Sequence, residues 1–142
     1  GVKSSSADML KFIDAQLNPQ QLKQPMRKTI ENTHVGYFKV GAMTQGLGWE
    51  QYTYPVSLAT LLQGNSSKMA LESHTVTPIK QPKLASAATL FNKTGATNGF
   101  GAYVAFIPQQ KIGIVMLANT NFPNEARITA SYQTIQQLLK QQ

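Results

Sequence analysis

Hydrophobic positions crowd into the last third of the chain. Residues 102–107 and 112–117 are near-continuous apolar runs, parted by the polar stretch Pro108-Gln109-Gln110-Lys111. Short apolar runs bounded by turn residues predict a β-hairpin whose strands are covered on both faces. The apolar stretch 87–91, continued to Thr94, predicts a third antiparallel strand just before them. The period then changes, because Ile128, Tyr132, Ile135 and Leu139 recur at helical spacing. That stripe predicts a closing helix lying on the sheet. One helix covers one face, so the other is expected to stay bare, which marks a missing partner or a liability to self-association.

Helical spacing also links Met9, Leu10, Ile13 and Leu17. Ser5, with Asp8 three residues on, reads as a capping box, and Asn18-Pro19 as the stop. Residues 20–32 are predicted helical on a thinner face of Leu22, Met26 and Ile30, with Pro25 limiting where the helix runs unbroken. Residues 37–43 and 46–52 predict two short strands separated by small residues. The aromatic Tyr37, Trp49, Tyr52 and Tyr54 are read as core or cleft wall in preference to a stacking platform. Pro55 is expected to open a short helix with Leu58, Leu61 and Leu62 buried, ending at Gly64-Asn65. Residues 66–85 are polar, contain Pro78 and Pro82, and are expected to form a long surface loop with a strand only near 75–79. The fold class is α/β, an antiparallel sheet flanked by helices, and 142 residues make one domain or part of one.

Composition narrows the function. Thirteen basic residues against six acidic give a net charge of +7, but they are scattered and form no dense stripe. Nucleic-acid binding is therefore not expected, whereas anionic small substrates or cell-wall polymers fit. There is no cysteine, which excludes disulfides and thiolate metal sites. His34 and His74, the only histidines, are forty residues apart. Both are expected in ordinary surface or loop positions, and neither a metal nor another cofactor is expected. No apolar stretch approaches the ~20 residues of a membrane span. No basic segment followed by an apolar one opens the chain, which starts Gly1-Val2-Lys3 and is expected to be a mature or excised piece.

The chemistry concentrates in Lys93-Thr94-Gly95-Ala96-Thr97-Asn98-Gly99. Strand alternation puts Lys93 and Gly95 on one face and Thr94 on the other. Gly95 leaves the backbone open to close approach by a ligand, and a strand-edge N–H such as that of Ala96 can stabilise a developing oxyanion. Gly99 and Gly101 permit a tight reversal into the next strand. Lys-Thr-Gly is a motif of serine β-lactamases and penicillin-binding proteins. The longer stretch KTGATNGFGAYVAFIPQQKIGIVMLANTNFPNEAR closely resembles the C-terminal sheet and helix start of class C β-lactamases, and the resemblance runs back through QGLGWE to GVKSSSADM.

That resemblance implies residue roles. Lys93 supplies positive charge beside a catalytic serine and tyrosine, favouring their deprotonated forms. Thr94, with Gly95 beside it, meets the carboxylate of a lactam substrate, and the Ala96 N–H forms half of the oxyanion hole. Asn121, Asn124 and Arg127 match a second carboxylate-facing cluster. From the residues alone, Asn124 can instead be a helix N-cap, and Arg127 can pair with Glu125 or sit in solvent. The family commonly has glycine at the place of Asn98, and asparagine tolerates left-handed dihedrals well enough for the turn to survive. Residues 66–85 would flank the cavity for a cephalosporin's leaving side chain. No serine here precedes a lysine by three positions, and no tyrosine or serine precedes an asparagine by two. The nucleophile and second catalytic motifs are thus expected in an N-terminal portion outside this chain, so that the chain alone is inactive. The implied parent is a periplasmic serine hydrolase acting on β-lactams, chiefly cephalosporins. A D-Ala-D-Ala carboxypeptidase or esterase of the same fold, and a non-catalytic binding remnant, are the alternatives. Asn65-Ser66-Ser67 and Asn92-Lys93-Thr94 match the glycosylation pattern and are read as chance.

Overall fold

In a computed structural model, which describes residues 2–141, seven antiparallel strands form one sheet in the order β4-β1-β2-β3-β5-β6-β7. Gly1, where the resemblance begins, lies outside the described residues. The strands are β1 Val35–Val40, β2 Met43–Gly46, β3 Glu50–Thr53, β4 Thr77–Leu84, β5 Thr89–Thr97, β6 Phe100–Ile107 and β7 Ile112–Ala118. The helices are α1 Ser6–Leu17, α2 Met26–Thr33, α3 Leu58–Gly64, α4 Ser67–Leu71 and α5 Asn124–Leu139. None is long and apolar enough to cross a membrane.

The apolar runs become β6 and β7, and the alternation of β6 divides the core. Tyr103, Ala105 and Ile107 join Tyr52, Leu90, Ile128 and Ile135 on the side of α5. Val104 and Phe106 face Ile13, Trp49 and Phe91 on the side of α1. Phe91 stacks on Phe106 at 4.8 Å, and Trp49 meets Phe106 edge-on at 4.9 Å. The expectation of a bare sheet face is therefore corrected: α1 covers it, which removes the ground for self-association. The helix can settle there because Gly113 offers no side chain, and a Cβ at that position would collide with the Ile13 side chain. Ser5 caps α1 by accepting from the Asp8 N–H at 3.2 Å.

Four boundaries differ from the pattern reading. Residues 20–32 are not one helix: a 3-10 turn, Pro19–Gln21, precedes α2, which starts only after Pro25 because proline lacks the N–H a helix interior needs. Residues 37–52 hold three strands in place of two, since the chain reverses at Gly41 (φ +58°) and Gly48 (φ +85°), and Thr44-Gln45 lie within β2. The short helix is capped by Ser57, whose Oγ accepts from the Thr60 N–H at 3.1 Å, two residues beyond Pro55. Residues 66–85 are not a long loop but α4, capped by Ser66, and the edge strand β4, where Pro78 and Pro82 are tolerated.

His34 is also misplaced by the sequence reading. It is buried at 8% exposure, with Nε2 2.8 Å from Gln16 Oε1 and its ring 4.6 Å from that of Phe91. Burial lowers its pKa to about 4, against a smaller opposing pull from Glu31. The Asn98-Gly99 reversal survives because Gly99 takes the positive φ (+105°) and Asn98 does not have to.

Candidate functional site

The motif strand outruns its neighbour. β3 pairs with β5 only from Thr89 to Asn92, whereas β6 accompanies β5 to Thr97. Residues 93–97 therefore have a strand partner on one side and an open edge on the other. Gly95 keeps that edge accessible, since a Cβ there would touch nothing closer than the Ala102 Cβ at 3.9 Å. Ala96 is exposed beside it.

Lys93 and Thr94 both line a cavity of about 540 Å³. Alternation alone would separate them, but β3 stops pairing at Asn92, and both residues line the cavity beside the edge it leaves free. Glu50 lines it with them, and Phe38, Met43 and Met69 add apolar surface to the same cavity. Lys93 Nζ donates to Glu50 Oε1 at 2.7 Å, with Lys93 47% and Glu50 13% exposed at the side chain. The second carboxylate oxygen, Oε2, is buried without a hydrogen-bond partner among the described residues. A fixed ammonium beside an open row of backbone amides suits the stabilisation of negative charge developing on a bound substrate.

Glu50 was not singled out from the sequence, although it ends the QGLGWE stretch. Only the pairing of Glu50 with Asn92 places it next to Lys93. Asn92 is fully buried and Asn65 nearly so, which leaves neither chance glycosylation match accessible. Tyr52 and Tyr103 are held protonated, by burial first and by neighbouring groups including Glu50 second. Neither phenol is poised to act as a base.

The second cluster lies behind the cavity wall. Asn124 is the first residue of α5 and not its N-cap, which is Pro123. Its Nδ2 donates to the Asn65 carbonyl at 2.8 Å, tying α5 to the α3–α4 turn that borders the cavity. Asn121 is exposed in the β7–α5 connection. Arg127 neither pairs with Glu125 nor sits in solvent. It is 2% exposed, and Nη1 donates to the Gly95 carbonyl at 2.8 Å and to the Ala102 carbonyl. The structure thus gathers Lys93, Thr94 and the Gly95–Ala96 edge at one opening, with Asn124 and Arg127 bracing it from the side of α5.

Comparison with known proteins shows what the chain is similar to. The model of the family described as Beta-lactamase matches residues 1–139. A Pseudomonas fluorescens beta-lactamase is 46% identical over 132 residues, covering 93% of this chain and 37% of that protein. The structure of D-alanine carboxypeptidase AmpC from Burkholderia cenocepacia superposes with a TM-score of 0.91 at 46% identity, over 94% of this chain and 38% of that one. A class C beta-lactamase in complex with cefoxitin superposes with a TM-score of 0.87 at 47% identity, over 94% and 37%. The chain thus spans little more than a third of the length of the relatives it matches.

Proposed function

The chain belongs to the beta-lactamase family, and from that premise we propose that it forms the oxyanion and carboxylate side of a class C serine β-lactamase. The observation that carries the reading is the Lys93 ammonium, held by Glu50 at 2.7 Å, at the mouth of an unpaired strand edge. In this reading a serine from the N-terminal portion attacks the lactam carbonyl, and the carbonyl oxygen takes up negative charge against the Ala96 N–H. The amide C–N bond breaks, its nitrogen takes a proton, and water then releases the acyl group from the serine. Lys93 favours deprotonation of the attacking serine and the neighbouring tyrosine. Thr94 donates to the substrate carboxylate beside Gly95, and Asn121 and Asn124 shape the same end. The apolar part of the cavity lining, Phe38, Met43 and Met69, takes the leaving side chain of a cephalosporin. The partner of this chain is the N-terminal portion, the compartment is the periplasm, and no cofactor takes part.

A second reading is D-Ala-D-Ala carboxypeptidase activity, favoured by the 0.91 superposition on a D-alanine carboxypeptidase. The complete enzyme decides between them. Faster acyl-enzyme breakdown with nitrocefin than with a D-Ala-D-Ala depsipeptide supports the lactamase, and the reverse order supports the peptidase.

A further inference from the structure

Arg127 occupies an expensive position. A guanidinium at 2% exposure has given up its water, and burial lowers its pKa. Among the described residues no carboxylate lies within ion-pair distance of it. It also stands in the first turn of α5, where the helix dipole disfavours a cation. What it receives in return is backbone: the carbonyls of Gly95 on β5 and Ala102 on β6, which are register partners. The next pair along is Ala96 and Gly101, and the guanidinium lies against Gly101, where a Cβ would come within 3.0 Å of Arg127 Cζ. Glycine leaves the planar group its place against both carbonyls, whereas a Cβ would press on it and make it yield by a few tenths of an ångström.

The mechanical consequence follows from the open edge. Residues 93–97 have lost β3, so β6 alone restrains them within the sheet. Arg127 adds a tie from a third direction, through α5, at the peptide that joins Gly95 to Ala96. The carbonyl it holds and the Ala96 N–H belong to that same planar unit. We propose that Arg127 is a positioning residue that fixes the orientation of the Ala96 N–H, an inference that rests on the acyl-transfer reading above. Its action on substrate runs through this peptide and not through the substrate carboxylate.

The test uses Arg127→Met, Arg127→Lys and Gly101→Ala in the complete enzyme, with a lactam that carries a carboxylate and an activated ester that lacks one. A misaimed oxyanion donor lowers kcat on both substrates alike, at least tenfold in Arg127→Met, with KM little changed. Gly101→Ala, which keeps the charge and presses on the guanidinium, lowers kcat in the same direction but by less than Arg127→Met. Arg127→Lys recovers part of it, since an ammonium can still donate to a carbonyl. A loss confined to the carboxylate-bearing substrate and expressed as higher KM overturns the proposal, as does an unchanged kcat in Arg127→Met or a loss in Gly101→Ala larger than in Arg127→Met. The backbone order parameter of the Ala96 amide in the complete enzyme, read by NMR relaxation, gives an answer independent of catalysis. Wild-type inactivity on both substrates refutes the acyl-transfer reading, whereas an Ala96 order parameter and amide chemical shift unchanged in Arg127→Met refute the positioning role itself.

Discussion

Acidification should loosen this fold through one residue, His34. Its imidazole is buried between Gln16 and the Phe91 and Phe106 rings, and its pKa falls from 6.5 to about 4. The native state therefore refuses a proton that the unfolded chain accepts. Above pH 6.5 both states are neutral at this site and the full stability is present. As pH falls from 6.5 toward 4 the unfolded state binds more protons, and stability declines by up to about 1.4 kcal/mol per pH unit. By pH 4.5 the accumulated loss is about 2.5 kcal/mol, a large share of the few kcal/mol that hold a small domain together. Glu31 is the charged group that opposes the shift, and it is engaged by Arg27 at 2.8 Å. Urea unfolding at pH 7.5 and 4.5 measures the effect in wild type and in His34→Gln, which keeps a hydrogen-bonding side chain beside Gln16 but cannot titrate. The variant should lose about 2.5 kcal/mol less than wild type across that interval. Equal pH dependence in the two proteins would refute the assignment of a buried neutral histidine.

Other consequences are read in separate assays. Lys93→Ala in the complete enzyme should lower nitrocefin turnover by about 100-fold or more, while its unfolding midpoint drops modestly, since Lys93 is half exposed but the mostly buried Glu50 carboxylate loses its partner. Gly64→Ala should destabilise by roughly 2 kcal/mol, seen as a lower thermal midpoint, because a Cβ there collides with the Tyr52 hydroxyl. Removing the α1 cap with Ser5→Ala should cost about 1 kcal/mol, and far-UV circular dichroism during unfolding reports it. An unchanged midpoint in that variant would mean that α1 is held by Ile13 packing alone.

Periodicity made some of this structure legible and left other parts silent. The β6–β7 hairpin and the stripe of α5 announce themselves because each buries several apolar residues at one spacing. β2 was hidden, since Thr44 and Gln45 look like a connector, although the glycines that do turn the chain, Gly41 and Gly48, stand on either side of it. β4 could not be read because nearly all of its residues are exposed and two are prolines. An edge strand needs only one neighbour and carries little hydrophobic signal. The Lys-Thr-Gly stretch was readable as chemistry, but its ion pair with Glu50 depends on which strand β5 joins. His34 and Arg127 show the same limit from the other side. A single polar residue carries no mark of its burial, which is decided by what packs around it.

In the proposed role, this chain supplies the Lys93 and Ala96 side of a serine β-lactamase whose nucleophile lies elsewhere. Nitrocefin hydrolysis by the chain alone, and by a chimera in which it replaces the matching stretch of the Pseudomonas fluorescens beta-lactamase, puts that role to the test. The expected result is no turnover by the chain, turnover by the chimera, and its loss in the chimera carrying Lys93→Ala. Hydrolysis by the isolated chain, or a folded chimera whose turnover survives Lys93→Ala, would contradict it.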